Sequence, residues 1–122
     1  MKFPVRWPDL LTWRIKNDHK KIDAATLKTW LEKKEALLVD VRDPEEHAAE
    51  NIPGAISMPL NVLSTETLPD TENKKLVFHC KAGKRSLSAC EKLVAANPNL
   101  EVFTLEGGIS AWNQAGYPVN RQ

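Results

Sequence analysis

The sequence predicts an α/β fold with parallel strands, and three observations carry that expectation. Short apolar runs at Leu37–Val41, Ala55–Met58, Leu76–Cys80 and Glu101–Leu105 alternate with stretches of helical periodicity, which is the pattern of βαβ units. At 122 residues the chain closes one hydrophobic core and is too short for two. With 42% hydrophobic and 27% charged residues, its composition is that of a soluble globular domain.

The elements follow in order. Residues 1–20 read as an N-terminal extension: Phe3, Trp7, Leu10, Leu11, Trp13 and Ile15 are too apolar for a free tail, and Pro8 suits the first turn of a helix ending near Lys16. Asn17 to Lys21 is a polar connector, and the main domain is expected over 21–122, with a short edge strand near Lys21-Ile22. Asp23 then caps a helix over Ala24–Lys34, with Ile22 and Leu27 placed as a hydrophobic staple. After the strand Leu37–Val41, a helix is expected over Asp43–Ala49, with Pro44 in its first turn and acidic residues at its positive end. Ala55–Met58 is a short strand and Pro59–Leu63 a helical turn. Leu76–Cys80 and Glu101–Leu105 complete the strands, followed by helices over Arg85–Ala96 and Ile109–Ala115.

Composition also excludes functions. A net charge of +1 gives no reason for attraction to nucleic acid or a membrane surface. No apolar stretch approaches the roughly 18 residues of a membrane helix, and no secretory leader pattern opens the chain, so a cytoplasmic location is expected. His19, His47 and His79 are scattered and no Cys-x-x-Cys pair exists, so neither a metal site nor a cofactor is expected.

The chemistry concentrates at Cys80. A strand ending in Cys, then Lys81-Ala82-Gly83-Lys84-Arg85-Ser86, then a helix, aims several backbone N–H groups and the positive end of a helix dipole at one sulfur. Such surroundings favour the thiolate, the nucleophilic form. Gly83 permits the tight turn, Lys81, Lys84 and Arg85 add cations, and Ser86 is placed to offer its hydroxyl and cap the helix. Cys90 shares a helix face with Leu87, Leu93 and Val94 and is assigned to the core. Parallel sheets place ligands outside the carboxyl ends of their strands, where Asp40, Cys80 and Leu105 fall, so Arg42, the Cys80 loop and Gly107-Gly108 should converge. Gly107-Gly108 reads as a tight turn that brings backbone to the pocket.

Three ordered motifs resemble the rhodanese domain. The first is Asp40-Val41-Arg42 with Glu45-Glu46-His47 and Asn51-Ile52-Pro53-Gly54-Ala55-Ile56; the second is the Cys80 loop; the third is Leu105-Glu106-Gly107-Gly108-Ile109, Ala111-Trp112 and Ala115-Gly116-Tyr117-Pro118-Val119. Together they cover Ile22 to Val119. The resemblance implies a rhodanese-like fold, a five-stranded, mostly parallel sheet with helices on both faces. It also implies a sulfurtransferase that carries sulfane sulfur as a persulfide on Cys80, from thiosulfate or a persulfide donor to a thiol or cyanide acceptor, with a protein sulfur carrier as an alternative partner. Lys81, Ala82, Gly83, Lys84, Arg85 and Ser86 would bind the donor. Arg42 is read either as a rim cation of the pocket, oriented by Glu46, or as one member of an ion-pair network with Asp40 and Glu46 that supports the loop. Glu50-Asn51 stands where Gly-His is common in the family, which bears on the turn ending the preceding helix.

Two rivals remain at this point. Cysteine phosphatases and arsenate reductases of the related fold place five residues between Cys and Arg, whereas four separate Cys80 from Arg85 here. A rhodanese-like module that only binds partners typically lacks the cysteine or the small residues of its loop, and this chain keeps Cys80 and Gly83.

Overall fold

In the computed structural model, which describes residues 20–121, β1 (Lys20–Ile22) leads through Asp23 into α1 (Ala24–Glu32). The extension expected over residues 1–20 lies outside the described residues except for Lys20, which belongs to β1. The Asp23 carboxylate accepts from the Thr26 N–H at 2.8 Å, as its position before the helix requires. Helix α1 stops two residues before the expected Lys34. Lys34 adopts a φ of +60°, and the Glu35 N–H turns back to the Trp30 carbonyl at 2.8 Å, a left-handed stop that a non-glycine residue supplies here.

β2 (Ala36–Asp40) precedes α2 (Pro44–Ala49), β3 (Glu50–Asn51) and β4 (Ile56–Ser57); a 3-10 turn over Leu60–Val62 leads to β5 (Lys75–His79). Then come α3 (Lys84–Ala96), β6 (Val102–Leu105), α4 (Gly108–Gln114) and β7 (Asn120–Arg121). Five strands form one sheet in the order β1-β6-β5-β2-β4, and every neighbouring pair is parallel. The expected fifth strand is therefore present, at the edge beside β6. A second, antiparallel pair of β3 and β7 was not legible as strands; Glu50 takes an extended φ of −158°, and its carboxylate holds the Arg121 guanidinium at 2.8 Å. The Glu50-Asn51 departure thus ends α2 by running straight into a strand.

Side-chain alternation sorts the core into two layers. Val39, Leu76, Phe78 and Val102 face α3, where Ala89, Cys90 and Leu93 meet them, with Leu63 beyond the 3-10 turn. Leu38, Val77, Phe103 and Leu105 face α1 and α4 through Leu27, Ile109 and Trp112. Trp112 is a core residue, 2% exposed, with its indole N–H donating to the Pro118 carbonyl at 2.8 Å. β5 is buried on both faces, so its near-continuous apolar run is what the centre of a parallel sheet needs. No described helix is long and apolar enough to cross a membrane.

Beneath the site, β2 and β5 set Asp40 directly opposite His79. Both are fully buried. Burial pushes the Asp40 carboxyl up, but the Arg42 guanidinium, the nearby His79 and the His47 ring nitrogen at 2.9 Å together hold it below the ordinary range. His79 sits between two acceptors, with Nδ1 at 3.2 Å from the Cys80 carbonyl and Nε2 at 3.9 Å from the Asp40 carboxylate. Nε2 has no hydrogen-bond partner among the described residues. Burial lowers the His79 pKa below 6.5 despite Asp40, so below pH 6.5 the unfolded chain binds a proton that the folded one resists, and stability falls as pH drops. His79→Phe is expected to shrink that loss. Urea unfolding of both proteins between pH 7 and about 5.5 checks it, and an unchanged slope would exclude His79 as a source.

Candidate active site around Cys80

Strand order turns at β5 and β2: the chain leaves β5 toward β6 on one side and leaves β2 toward β4 on the other. Ligand crevices in parallel sheets form at such a point. Cys80 is the first residue past β5 and not the last of the strand as expected. Its carbonyl is taken by the Ile109 N–H at 2.9 Å, outside the sheet ladder.

The sulfur lies inside the loop, and Cys80 is 1% exposed. The Gly83 N–H donates to it at 3.0 Å and the Ser86 N–H at 3.4 Å. Gly83 serves as N-cap of α3 at a φ of +112°, a conformation that disfavours other residues and leaves no side chain to compete for the first-turn N–H groups. Burial pushes the Cys80 thiol up, but the N–H bonds from Ser86 and Gly83, the Ser86 hydroxyl and the Ala82 N–H outweigh it, and the thiol lies below its ordinary 9.0. Ser86 does not cap α3 as expected, because the helix starts two residues earlier, at Lys84. Its hydroxyl stands 3.7 Å from the sulfur, 3.1 Å from the Gly83 carbonyl and 2.6 Å from the Thr104 hydroxyl. Sequence reasoning missed Thr104. Its signal was that it is the one polar residue in the run Val102-Phe103-Thr104-Leu105.

Gly107 and Gly108 place the start of α4 against the back of the loop. The Ile109 and Ser110 N–H groups hold the Cys80 and Lys81 carbonyls at 2.9 and 3.1 Å. Each carbonyl so held leaves the following peptides free to turn their N–H groups inward to the sulfur. A Cβ on Gly108 would stand 2.4 Å from the Cys80 carbonyl oxygen and 2.5 Å from that of Lys81, so the approach requires glycine. The expected tight turn is present and its purpose is this clamp.

The charged residues divide differently from expectation. Arg42 is 4% exposed; its Nε and Nη2 grip Asp40 at 2.9 and 2.7 Å, and Nη2 also donates to the Glu50 carbonyl at 2.6 Å. Its guanidinium is thus buried at the end of β2, against Asp40 and the Glu50 carbonyl, the position that the ion-pair reading of Arg42 expected for it. Glu46 does not orient Arg42. It takes Arg85 in a two-pronged pair at 2.8 and 3.2 Å, since the start of α2 faces the loop while the Arg42 head is already occupied below. Glu46 also accepts from the Asp43 N–H at 3.1 Å, completing a capping box for α2. That pair lowers the Glu46 carboxyl and raises Arg85. Lys81, Ala82 and Lys84 are exposed around the loop.

The rhodanese-like domain family model matches residues 23–115 of this chain. The chain belongs to the rhodanese-like domain family. A protein named sulfurtransferase from Allochromatium vinosum is 33% identical over 100 residues, 81% of this chain and 92% of that one. An uncharacterized protein from Synechocystis is 40% identical over 94 residues, 77% of this chain, and the chain spans about half that relative, 52% of its length. The crystal structure of a rhodanese-related protein from Thermoplasma volcanium is 31% identical, with a TM-score of 0.72 over 84% of this chain and 99% of that one.

Within this rhodanese-like domain the two cysteines are chemically distinct. Cys90 is fully buried against the Phe103 carbonyl, 3.7 Å from its sulfur, and burial pushes its thiol up to about 12. Alkylation by iodoacetamide, followed by mass spectrometry across pH 6 to 10, is expected to modify Cys80 with a midpoint below 9.0 and to leave Cys90 untouched. A Cys80 midpoint at or above 9.0 would mean that the N–H cradle fails to offset burial.

Proposed function

We propose that this rhodanese-like domain is a sulfurtransferase working through a persulfide on Cys80. The observation that carries the reading is the buried sulfur facing the Gly83 and Ser86 N–H groups at 3.0 and 3.4 Å. The Cys80 thiolate attacks the sulfane sulfur of thiosulfate or of an organic persulfide. The donor S–S bond breaks and its electron pair leaves with sulfite or with the donor thiolate. A thiolate or cyanide then attacks the outer sulfur, and the bonding pair returns to Cys80 as thiolate. Two displacements through a covalent intermediate imply ping-pong kinetics. The cradle stabilises the negative sulfur before and after each transfer, which is preorganised electrostatic help at the atom where charge collects.

Lys81, Lys84 and Arg85 supply the attraction for an anionic donor, while Arg42, braced beneath, supports the loop. Four residues between Cys80 and Arg85 leave room for one sulfur better than for a tetrahedral oxyanion, which disfavours phosphatase or arsenate reductase chemistry. Intact mass after incubation with thiosulfate tests the reading. A gain of about 32 Da that cyanide removes as thiocyanate is expected on wild type and not on Cys80→Ser. No gain with thiosulfate or with an organic persulfide would sink catalysis and leave a domain that binds partners.

Arg85→Gln is expected to lower kcat/KM for thiosulfate about tenfold while changing use of an uncharged alkyl persulfide less than about threefold. Equal losses with both donors would assign Arg85 and its Glu46 pair to holding the loop in place.

A further inference from the structure

Of the three cations on the Cys80 loop, one is paired. Lys81 and Lys84 have no ion pair among the described residues, whereas Arg85 gives both of its terminal nitrogens to the Glu46 carboxylate, at 2.8 and 3.2 Å. Glu46 is held from the other side as well. The oxygen that takes Arg85 at 2.8 Å also accepts from the Asp43 N–H at 3.1 Å, at the start of α2. The Arg85 bonds and the Asp43 N–H keep the Glu46 carboxyl below its ordinary 4.5, so it is charged throughout the neutral range. It is a fixed negative charge set against the loop cation whose planar, two-pronged head suits an oxyanion.

That charge stands where a donor arrives. Arg85 lies between Gly83 and Ser86, whose N–H groups donate to the sulfur at 3.0 and 3.4 Å, and the sulfur lies inside the turn they make. A donor reaches it across the turn's own residues and meets Arg85 and Glu46 as a pair of no net charge. Thiosulfate brings two negative charges, and its oxygens compete with Glu46 for the same terminal N–H groups. An organic persulfide brings at most one charge, on the sulfur that Cys80 takes. Balancing Arg85 therefore disfavours the first donor more than the second.

We infer that Glu46 is a specificity-determining residue: by balancing Arg85 it selects an organic persulfide over thiosulfate as the sulfur donor. The inference rests on the sulfurtransferase reading above and names its donor class. The Cys80 thiolate attacks the outer sulfur of the persulfide, and the donor S–S bond breaks. Its electron pair stays on the donor's inner sulfur, which leaves as a thiolate and takes a proton from solvent. Glu46 acts on this step only through Arg85.

The test compares wild type, Glu46→Gln, Arg85→Gln and the double variant in single-turnover sulfur loading of Cys80, read by intact mass, with thiosulfate and with an alkyl persulfide. Glutamine keeps an oxygen for the Asp43 N–H, so α2 keeps its start, and circular dichroism checks the fold. Glu46→Gln is expected to load from thiosulfate about fivefold faster and to change loading from the alkyl persulfide less than about twofold. Solvent screening limits the gain to that scale, since the Arg85 and Glu46 side chains are 37% and 32% exposed, and added salt should shrink it. Arg85→Gln leaves Glu46 unbalanced, and its loss of about tenfold with thiosulfate should return to within about threefold of wild type in the double variant. An unchanged ratio between the two donors in Glu46→Gln, or a double variant as slow with thiosulfate as Arg85→Gln alone, would overturn the inference. A second measurement needs no sulfur transfer: sulfate is titrated, at fixed ionic strength, against alkylation of Cys80 by iodoacetamide. Protection is expected at about fivefold lower sulfate in Glu46→Gln than in wild type. That result with no persulfide on any of the proteins would sink the sulfurtransferase reading and leave the control of anion access by Glu46 standing. Equal protection in both proteins, or none in either, would overturn the assignment of Glu46.

Discussion

Cys80→Ser is expected to lower sulfur transfer from thiosulfate to cyanide by at least about a thousandfold, the scale on which losing a covalent nucleophile acts. A serine hydroxyl in the same cradle cannot form the persulfide, and it ionises far less readily than a thiol. The fold should survive, because the Gly83 and Ser86 N–H groups at 3.0 and 3.4 Å find an oxygen acceptor in place of sulfur. Cys90→Ser is the matched control. It stands fully buried beside the Phe103 carbonyl, where a serine hydroxyl gains a partner, so a stability change on the order of 1 kcal/mol and nearly full activity are expected. Steady-state kinetics with circular dichroism on both variants distinguishes the outcomes. A folded but inactive Cys90→Ser would require a relay between two cysteines and would displace the single-cysteine cycle.

Gly108→Ala is expected to damage the site almost as severely, although residue 108 donates nothing to the sulfur. Its new methyl would stand 2.4 and 2.5 Å from the two carbonyl oxygens that α4 clamps, and backbone atoms cannot swing aside as a flexible side chain does. The φ of +59° adds left-handed strain for alanine. Overpacking and strain together cost on the order of 2 to 4 kcal/mol. Relief comes by moving α4 away from the loop, which releases the Cys80 and Lys81 carbonyls and turns the N–H cradle. The variant should therefore lose stability and also show a Cys80 alkylation midpoint shifted upward from wild type. Gly116→Ala separates strain from the clamp, since Gly116 has a φ of +81° but nothing within 4 Å of an added Cβ. It should cost stability alone. A Gly108→Ala protein with wild-type activity and an unmoved alkylation midpoint would show that the clamp does not orient the loop.

How far the site was legible depends on how local each contact is. The Cys80 cradle spans six residues, and a strand, a short loop and a helix start in that order already dictate where its N–H groups point. Asp23 over α1 was legible for the same reason, since its bond to the Thr26 N–H closes over three residues. Glu46 was paired with Arg42 because that residue is its nearest cation along the chain, four residues back, whereas the partner it holds, Arg85, is 39 residues distant. Thr104 meets Ser86 across 18 residues, between β6 and α3, and only their packing brings the two hydroxyls to 2.6 Å. The β3 and β7 pair escaped notice because strands of two residues carry no periodicity to read.

By itself the sequence determined the alternation of strands and helices, the family, the cysteine loop and the need for glycine at its turns. These rest on side-chain periodicity and on backbone angles, both of which are properties of neighbouring residues. Only the tertiary structure decided that Arg42 braces Asp40 beneath the loop, that Glu46 belongs to Arg85 and that α4 clamps the loop from behind. Each of these joins segments far apart in the chain. Such pairings are chosen by which apolar faces bury together, and the charged side chains then find whatever partners that burial has brought within reach.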